Sequence, residues 1–172
     1  DLSIVQVNKI TYVLNEGENN TSNPETFTRN DLPLELNDAT LEGKHFVGWK
    51  VNGTVLKTIP KLDAYDKDLT LEAVFEDIYT VLYYGFGSEL VSNPTEYYPS
   101  SGTIELAVPE VPGYDFLGWA LHGEVVTYIP SDSTGNLNLK TVFKYVEYEI
   151  SYDLDGGTNS KSNPDIYTRE NE

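Results

Sequence analysis

Apolar and polar residues alternate along most of this chain at a period of two, and no apolar stripe recurs at helical spacing over ten or more positions. In Leu69-Thr70-Leu71-Glu72-Ala73-Val74-Phe75 the residues Leu69, Leu71, Ala73 and Phe75 fall on one face, and Leu137, Leu139, Thr141 and Phe143 do the same further on. Each run predicts a half-buried strand. Shorter strands are expected at Lys9–Leu14, Thr80–Tyr84 and Glu149–Leu154, where β-branched and aromatic residues dominate, and at 25–28, 32–36, 95–98 and 103–107. The pattern predicts an all-β protein with at most a short helical turn.

The most specific local signal is Asn52-Gly53, set between Phe46-Val47-Gly48-Trp49 and Val55-Leu56. Both central positions of a type I′ turn need positive φ, which Asn and Gly tolerate, so this segment predicts a two-residue hairpin. The turn sets a register in which Trp49 faces Leu56, Val47 faces Thr58 and Phe46 faces Ile59. The hairpin returns at Phe116-Leu117-Gly118-Trp119 with His122-Gly123 as its turn, pairing Trp119 with Val126 and Phe116 with Ile129. Strict alternation puts Val47, Trp49 and Val51 on one face and Phe46 and Gly48 on the other. Gly48 and Gly118 leave bare backbone that another strand or a ring can approach closely.

The recurrence extends beyond the hairpin. Ser-Asn-Pro stands at Ser22, Ser92 and Ser162, and the pairs Trp49 and Trp119, Pro60 and Pro130, Gly43 and Gly113, and Leu36 and Leu106 all keep the same step of 70 residues. The expected organisation is residues 1–9 as the tail of a preceding repeat, 10–77 and 78–146 as two full repeats, and 147–172 as the start of an incomplete third. Asp1-Leu2-Ser3-Ile4-Val5 resembles the end of a closing strand, and a chain that begins this way without Met reads as a piece of something longer. The junctions at 76–79 and 144–148 lack Gly, Pro or Ser runs, which predicts a stiff connection rather than beads on a flexible string.

Composition narrows the chemistry. A net charge of -17, from 28 acidic and 11 basic residues in 172, repels phosphate backbones and anionic lipid, so nucleic acid and direct membrane insertion are not expected partners. The absence of Cys excludes disulfides and thiolate sites. No run of about 18 apolar residues is present. The 13 Tyr stand out, and Tyr84, Tyr97 and Tyr98 form the candidate binding surface, because one member of each adjacent Tyr pair points away from the core. Trp49 and Trp119 could stack on sugars, but their repeated pairing with Leu56 or Val126 favours core packing, with burial as its signature. His45 and His122 occupy non-equivalent positions and read as solvated or turn residues, so no nucleophile and base system is expected. Asp153-Leu154-Asp155-Gly156-Gly157 has the opening of a calcium loop but lacks a terminal Glu at the right distance, and a hairpin turn is the preferred reading. No catalytic, cofactor or metal residues are expected.

In order, Ile10-Thr11-Tyr12, Ser-Asn-Pro, Gly113-Tyr114-Asp115-Phe116-Leu117-Gly118-Trp119, Ile-Pro and a closing Leu-x-Leu-x-x-Val-Phe resemble the Listeria–Bacteroides repeat, the type found as B repeats of internalin-like proteins. The opening turn of that repeat is best kept at Tyr152–Gly157. Lys44 and His45 depart from it in the first copy, as does Tyr84-Gly85-Phe86-Gly87 in the second. The resemblance implies small β-grasp-like units of about 70 residues on secreted, often wall-anchored, bacterial proteins. It also implies that Phe46, Gly48, Trp49, Asn52, Gly53, Phe116, Gly118, Trp119 and Gly123 are structural. The expected role is a non-catalytic extracellular stalk or spacer that contributes to adhesion, with neighbouring repeats as partners. The alternative is a binding module for a host protein or glycan, acting through Tyr-rich strands and the polar loops at 61–68 and 131–136.

Overall fold

The computed structural model describes residues 4–171. Of the segment expected to end a preceding repeat, residues 1–3 lie outside the described residues. Two compact units emerge: one holds the chain through Ile78 together with Tyr98–Ser100, the other Tyr79–Tyr97 and the chain from Ser101 onward. Both are all-β, with helical conformation limited to three-residue 3-10 turns.

In the first unit the strands are β1 (Val7–Val13), β2 (Thr26–Thr28), β3 (Leu34–Glu35), β4 (Lys44–Val51), β5 (Thr54–Leu56), β6 (Thr58–Ile59) and β7 (Leu69–Asp77). Five of them form one sheet in the order β2-β1-β7-β4-β5, and β3 pairs with β6 in a small second sheet. The opening strand β1 and the closing strand β7 lie side by side in parallel, with Ile10 opposite Leu69. That pairing between the two ends of the repeat closes the unit around Trp49, Leu71 and Ile59, none of which is exposed. The second unit repeats the plan with β8 (Tyr79–Tyr84), β9 (Glu96–Tyr97), β10 (Ile104–Glu105), β11 (Tyr114–Leu121), β12 (Glu124–Val126), β13 (Tyr128–Ile129) and β14 (Leu137–Tyr145). Its sheet runs β12-β11-β14-β8-β9, with β10 and β13 paired apart, and its core gathers Trp119, Ile129 and Leu139.

The hairpin register holds at its tip and fails beyond it. Trp49 faces Leu56 and Trp119 faces Val126, and the turn residues take positive φ, 50° and 82° at Asn52 and Gly53 and 50° and 90° at His122 and Gly123. Past Leu56, however, the return strand leaves β4. Ile59 pairs with Leu34, and Ile129 with Ile104, so Phe46 and Phe116 do not face them. Phe46 instead faces Phe75, and the next pair is Gly48 with Val74. Two residues on β4 therefore answer one on β7, a bulge that reverses the alternation at Val47. Phe75 and Ala73 share the core face of β7, so Phe46 and Trp49 share it too, and their rings meet edge to face at 5.3 Å. The expectation that they lie on opposite faces is corrected by this bulge, which β11 repeats between Phe116 and Gly118.

The close approach expected at the glycines comes from the hairpin's own return strand. A Cβ on Gly118, where φ is +141°, would stand 2.5 Å from Val125 Cγ1 and 2.8 Å from the Val126 carbonyl oxygen. The third opening strand is shorter than expected. Only Tyr148–Glu149 (β15) forms strand, antiparallel to Ile166–Tyr167 (β16), because no closing strand lies beside 150–154 among the described residues.

Candidate functional site

The recurring motif residues converge on one partly buried polar link. Trp49 donates from Nε1 to the Asn37 carbonyl oxygen at 3.2 Å, and the Asn37 N–H donates to Asn23 Oδ1 at 2.7 Å. The Asn23 side chain completes the link by donating from Nδ2 to the same Asn37 carbonyl at 2.9 Å and to Asn19 Oδ1 at 2.8 Å. The Asn of Ser-Asn-Pro thus holds the strand approach against the hairpin tryptophan, a role that its recurrence alone did not reveal. In the second unit Trp119 donates to the Ala107 carbonyl at 3.1 Å, and the Ala107 N–H donates to Asn93 Oδ1 at 2.8 Å. Glu89 stands where the first unit has Asn19, and Asn93 Nδ2 is buried with no acceptor.

A second link joins the opening strand to the same motif. Tyr12 donates its hydroxyl to the Pro24 carbonyl at 2.7 Å, Tyr83 to Pro94 at 2.9 Å and Tyr152 to Pro164 at 2.7 Å. Tyr12 and Tyr83 each lie edge-on to their tryptophan at 5.2 Å. Burial pushes both hydroxyls up to about 12, with Glu25 adding to the rise at Tyr12.

Trp49 and Trp119 are both 0% exposed, the outcome that core packing predicts and sugar stacking does not. Phe46 and Gly48 are buried beside Trp49. In the second copy Gly118 is buried and Phe116 half-buried, while the turn residues Asn52, Gly53 and Gly123 face solvent. The three tyrosines singled out as a surface are not equivalent. Tyr84 is 45% exposed at the end of β8. Tyr97 is only 3% exposed, because it faces the core from β9 and donates its hydroxyl to the Gly135 carbonyl at 2.6 Å, so it is corrected from surface to core. Tyr98 is half-buried and belongs to the first unit, stacked on His45 with ring centroids 3.6 Å apart.

The two polar loops differ. In the first unit, residues 61–68 contain a 3-10 turn, Asp63–Tyr65, that folds Tyr65 into the core with Val51 and Leu69. Arg29 anchors this loop by ion pairs to Asp63 at 2.6 Å and Asp66 at 3.1 Å, and Asn8 donates to Asp66 at 2.9 Å. The hydrogen bonds from Arg29 and Asn8 hold the Asp66 carboxyl below its usual range. In the second unit the loop at 131–136 is two residues shorter and lacks a counterpart of Tyr65. An open groove of about 530 Å³ lies there, walled by Leu121, Val126, Pro130 and Leu137 and edged by His122, Glu124, Ser133 and Thr134.

Among the described residues no cluster of three or more His, Asp or Glu side chains is placed to hold a metal ion. Asp155 and Gly156 take positive φ, and Gly157 N–H donates to the Leu154 carbonyl at 2.6 Å, which makes the Asp153–Gly157 segment a tight turn. No helix among the described residues is long and apolar enough to cross a membrane.

A family model, the Listeria-Bacteroides repeat domain, matches the chain twice in tandem, at residues 9–74 and 79–140. These matches span well over half of the sequence, and the chain belongs to that family, which is typical of bacterial surface proteins and generally non-catalytic. No curated protein and no solved structure matches the chain.

Proposed function

We propose that the chain is a non-catalytic spacer from an extracellular, internalin-like protein of a bacterial surface or cell wall. In this reading its β-grasp-like repeats, one after another in tandem, present other domains and contribute to adhesion. The observation that supports this reading most is the use of the recurring residues: both tryptophans, their phenylalanines and the asparagines Asn23 and Asn93 are spent on internal packing and hydrogen bonds. The central parallel pairing of β1 with β7 and of β8 with β14 supports the β-grasp likeness. Repeat boundaries at 10–77, 78–146 and 147–172 go with it, and neighbouring repeats are its first partners. A unit of about 70 residues buries only about 60% of its extended-chain surface, so each gains from a neighbour that orders its ends.

Absence of Cys makes the test direct, since cysteines introduced at Lys61 and Ser131 would be the only labelling sites. Spin labels at these exposed, equivalent positions should give one narrow distance distribution. A broad distribution would show units tumbling on a flexible tether and would remove the spacer reading.

The second reading is a binding module for a host protein or glycan. The exposed Tyr84 and the apolar groove of the second unit favour it.

A further inference from the structure

The two copies provide an internal comparison that assigns a ligand class to the groove. Its apolar walls, Leu121, Val126, Pro130 and Leu137, are the counterparts of Val51, Leu56, Pro60 and Leu69 in the first unit. There the corresponding space is closed by the protein itself. Tyr65 is only 9% exposed in the cluster that includes Val51 and Leu69, and the Ala64 carbonyl accepts from Asn52 Nδ2 at 3.4 Å, which places the loop against the hairpin turn. The frame around the loop is otherwise kept. Asp68 accepts from the Lys9 N–H at 2.7 Å, and Asn136 accepts from the Thr80 N–H at 2.9 Å, so both loops end on the same anchor. Between those fixed ends the second loop has lost two residues and the ring that plugs the core.

We propose that the groove of the second unit is a subsite for the phenol ring of a tyrosine presented on a basic segment of a partner protein. The first unit supplies the template for the ring, because Tyr65 is buried there in one cluster with Val51 and Leu69, against which Leu56 packs. Apolar walls take the ring's carbon face, while Glu124 and the hydroxyls of Ser133 and Thr134 at the rim offer acceptors to its O–H. A chain of net charge -17 favours a tyrosine flanked by Lys or Arg over one flanked by carboxylates. The inference deepens the binding-module reading and is independent of whether the repeats form a rigid spacer.

The test follows methyl resonances of the full chain during titration with p-cresol, the isolated tyrosine side chain. Shifts are expected at Leu121, Val126 and Leu137 and not at Val51, Leu56 and Leu69, where Tyr65 occupies the space. Replacing Ser131–Asn136 by the sequence of residues 61–68 should abolish the response. Thr134→Tyr offers a second, smaller way to fill the groove if the graft does not fold, and should reduce the response. Unmoved methyls, equal shifts in both units, or a response that survives in a folded graft would overturn the subsite. With the tripeptide Lys-Tyr-Lys the same shifts should appear at lower concentration than with Glu-Tyr-Glu. Equal concentrations would overturn the basic partner.

Discussion

At the scale of single residues, the asparagine of Ser-Asn-Pro decides more than its place in a turn suggests. Asn23 is buried and uses its oxygen and both N–H bonds to join Asn37, Asn19 and, through the Asn37 carbonyl, Trp49. Asn23→Ala therefore removes the acceptor of the Asn37 N–H and the partly buried bonds around it, at a cost of about 0.5–1.5 kcal/mol in urea unfolding. Asn93→Ala should cost less, since Asn93 Nδ2 already lacks a partner. Equal losses would mean that the first unit's additional hydrogen bonds contribute nothing. The spacing of 70 residues revealed that this asparagine recurs, but not that it bonds Asn37, which lies 14 residues away on a segment whose path no local pattern sets. Burial of the tryptophans was legible by contrast, since each sits opposite an apolar residue across a short turn.

At the scale of elements, reading by period two succeeds where a strand runs straight and fails where it is bent. The closing strands β7 and β14 present Leu, Leu and then Ala or Thr to the core just as alternation requires. On β4 and β11 the bulge shifts the phase, so Phe46 joins Trp49 on one face, and only the glycine next to it hinted at an irregularity. The exchange of partners by β6 and β13 was not legible either. A two-residue strand carries no information about which of several edges it will pair with. Opening strand and Ser-Asn-Pro segment are tied by Tyr12 to Pro24 and by Tyr83 to Pro94, and these bonds give the elements a pH limit. Both hydroxyls titrate near 12 in the folded chain against 10.0 when free, so the folded state holds the proton more tightly. The resulting stability is complete below pH 10 and is lost as pH rises from 10 to 12. Unfolding followed across that range should show a steep alkaline fall, and Tyr12→Phe with Tyr83→Phe should flatten it. An unchanged fall in the double variant would place its origin elsewhere.

At the scale of the whole molecule, the sequence carried the architecture in its repeats and concealed the groove that opens where their loops differ. Two copies of an all-β unit, each with its own tryptophan, could be read from the 70-residue step. The groove at Leu121, Val126, Pro130 and Leu137 could not, because it arises from two missing loop residues, and a deletion shows nothing until the retained copy shows what Tyr65 was filling. The central claim is that the aromatic hairpin is scaffold, and each unit's single tryptophan makes that claim measurable. In Trp119→Ala the only indole left is Trp49, which reports the first unit alone, while methyl resonances of Ile129 and Leu139 report the second. A scaffold predicts that the second unit loses about 3–5 kcal/mol of unfolding free energy, as expected for a buried aromatic, while the Trp49 signal keeps a cooperative transition. A second unit that retained its full stability without Trp119 would contradict the account.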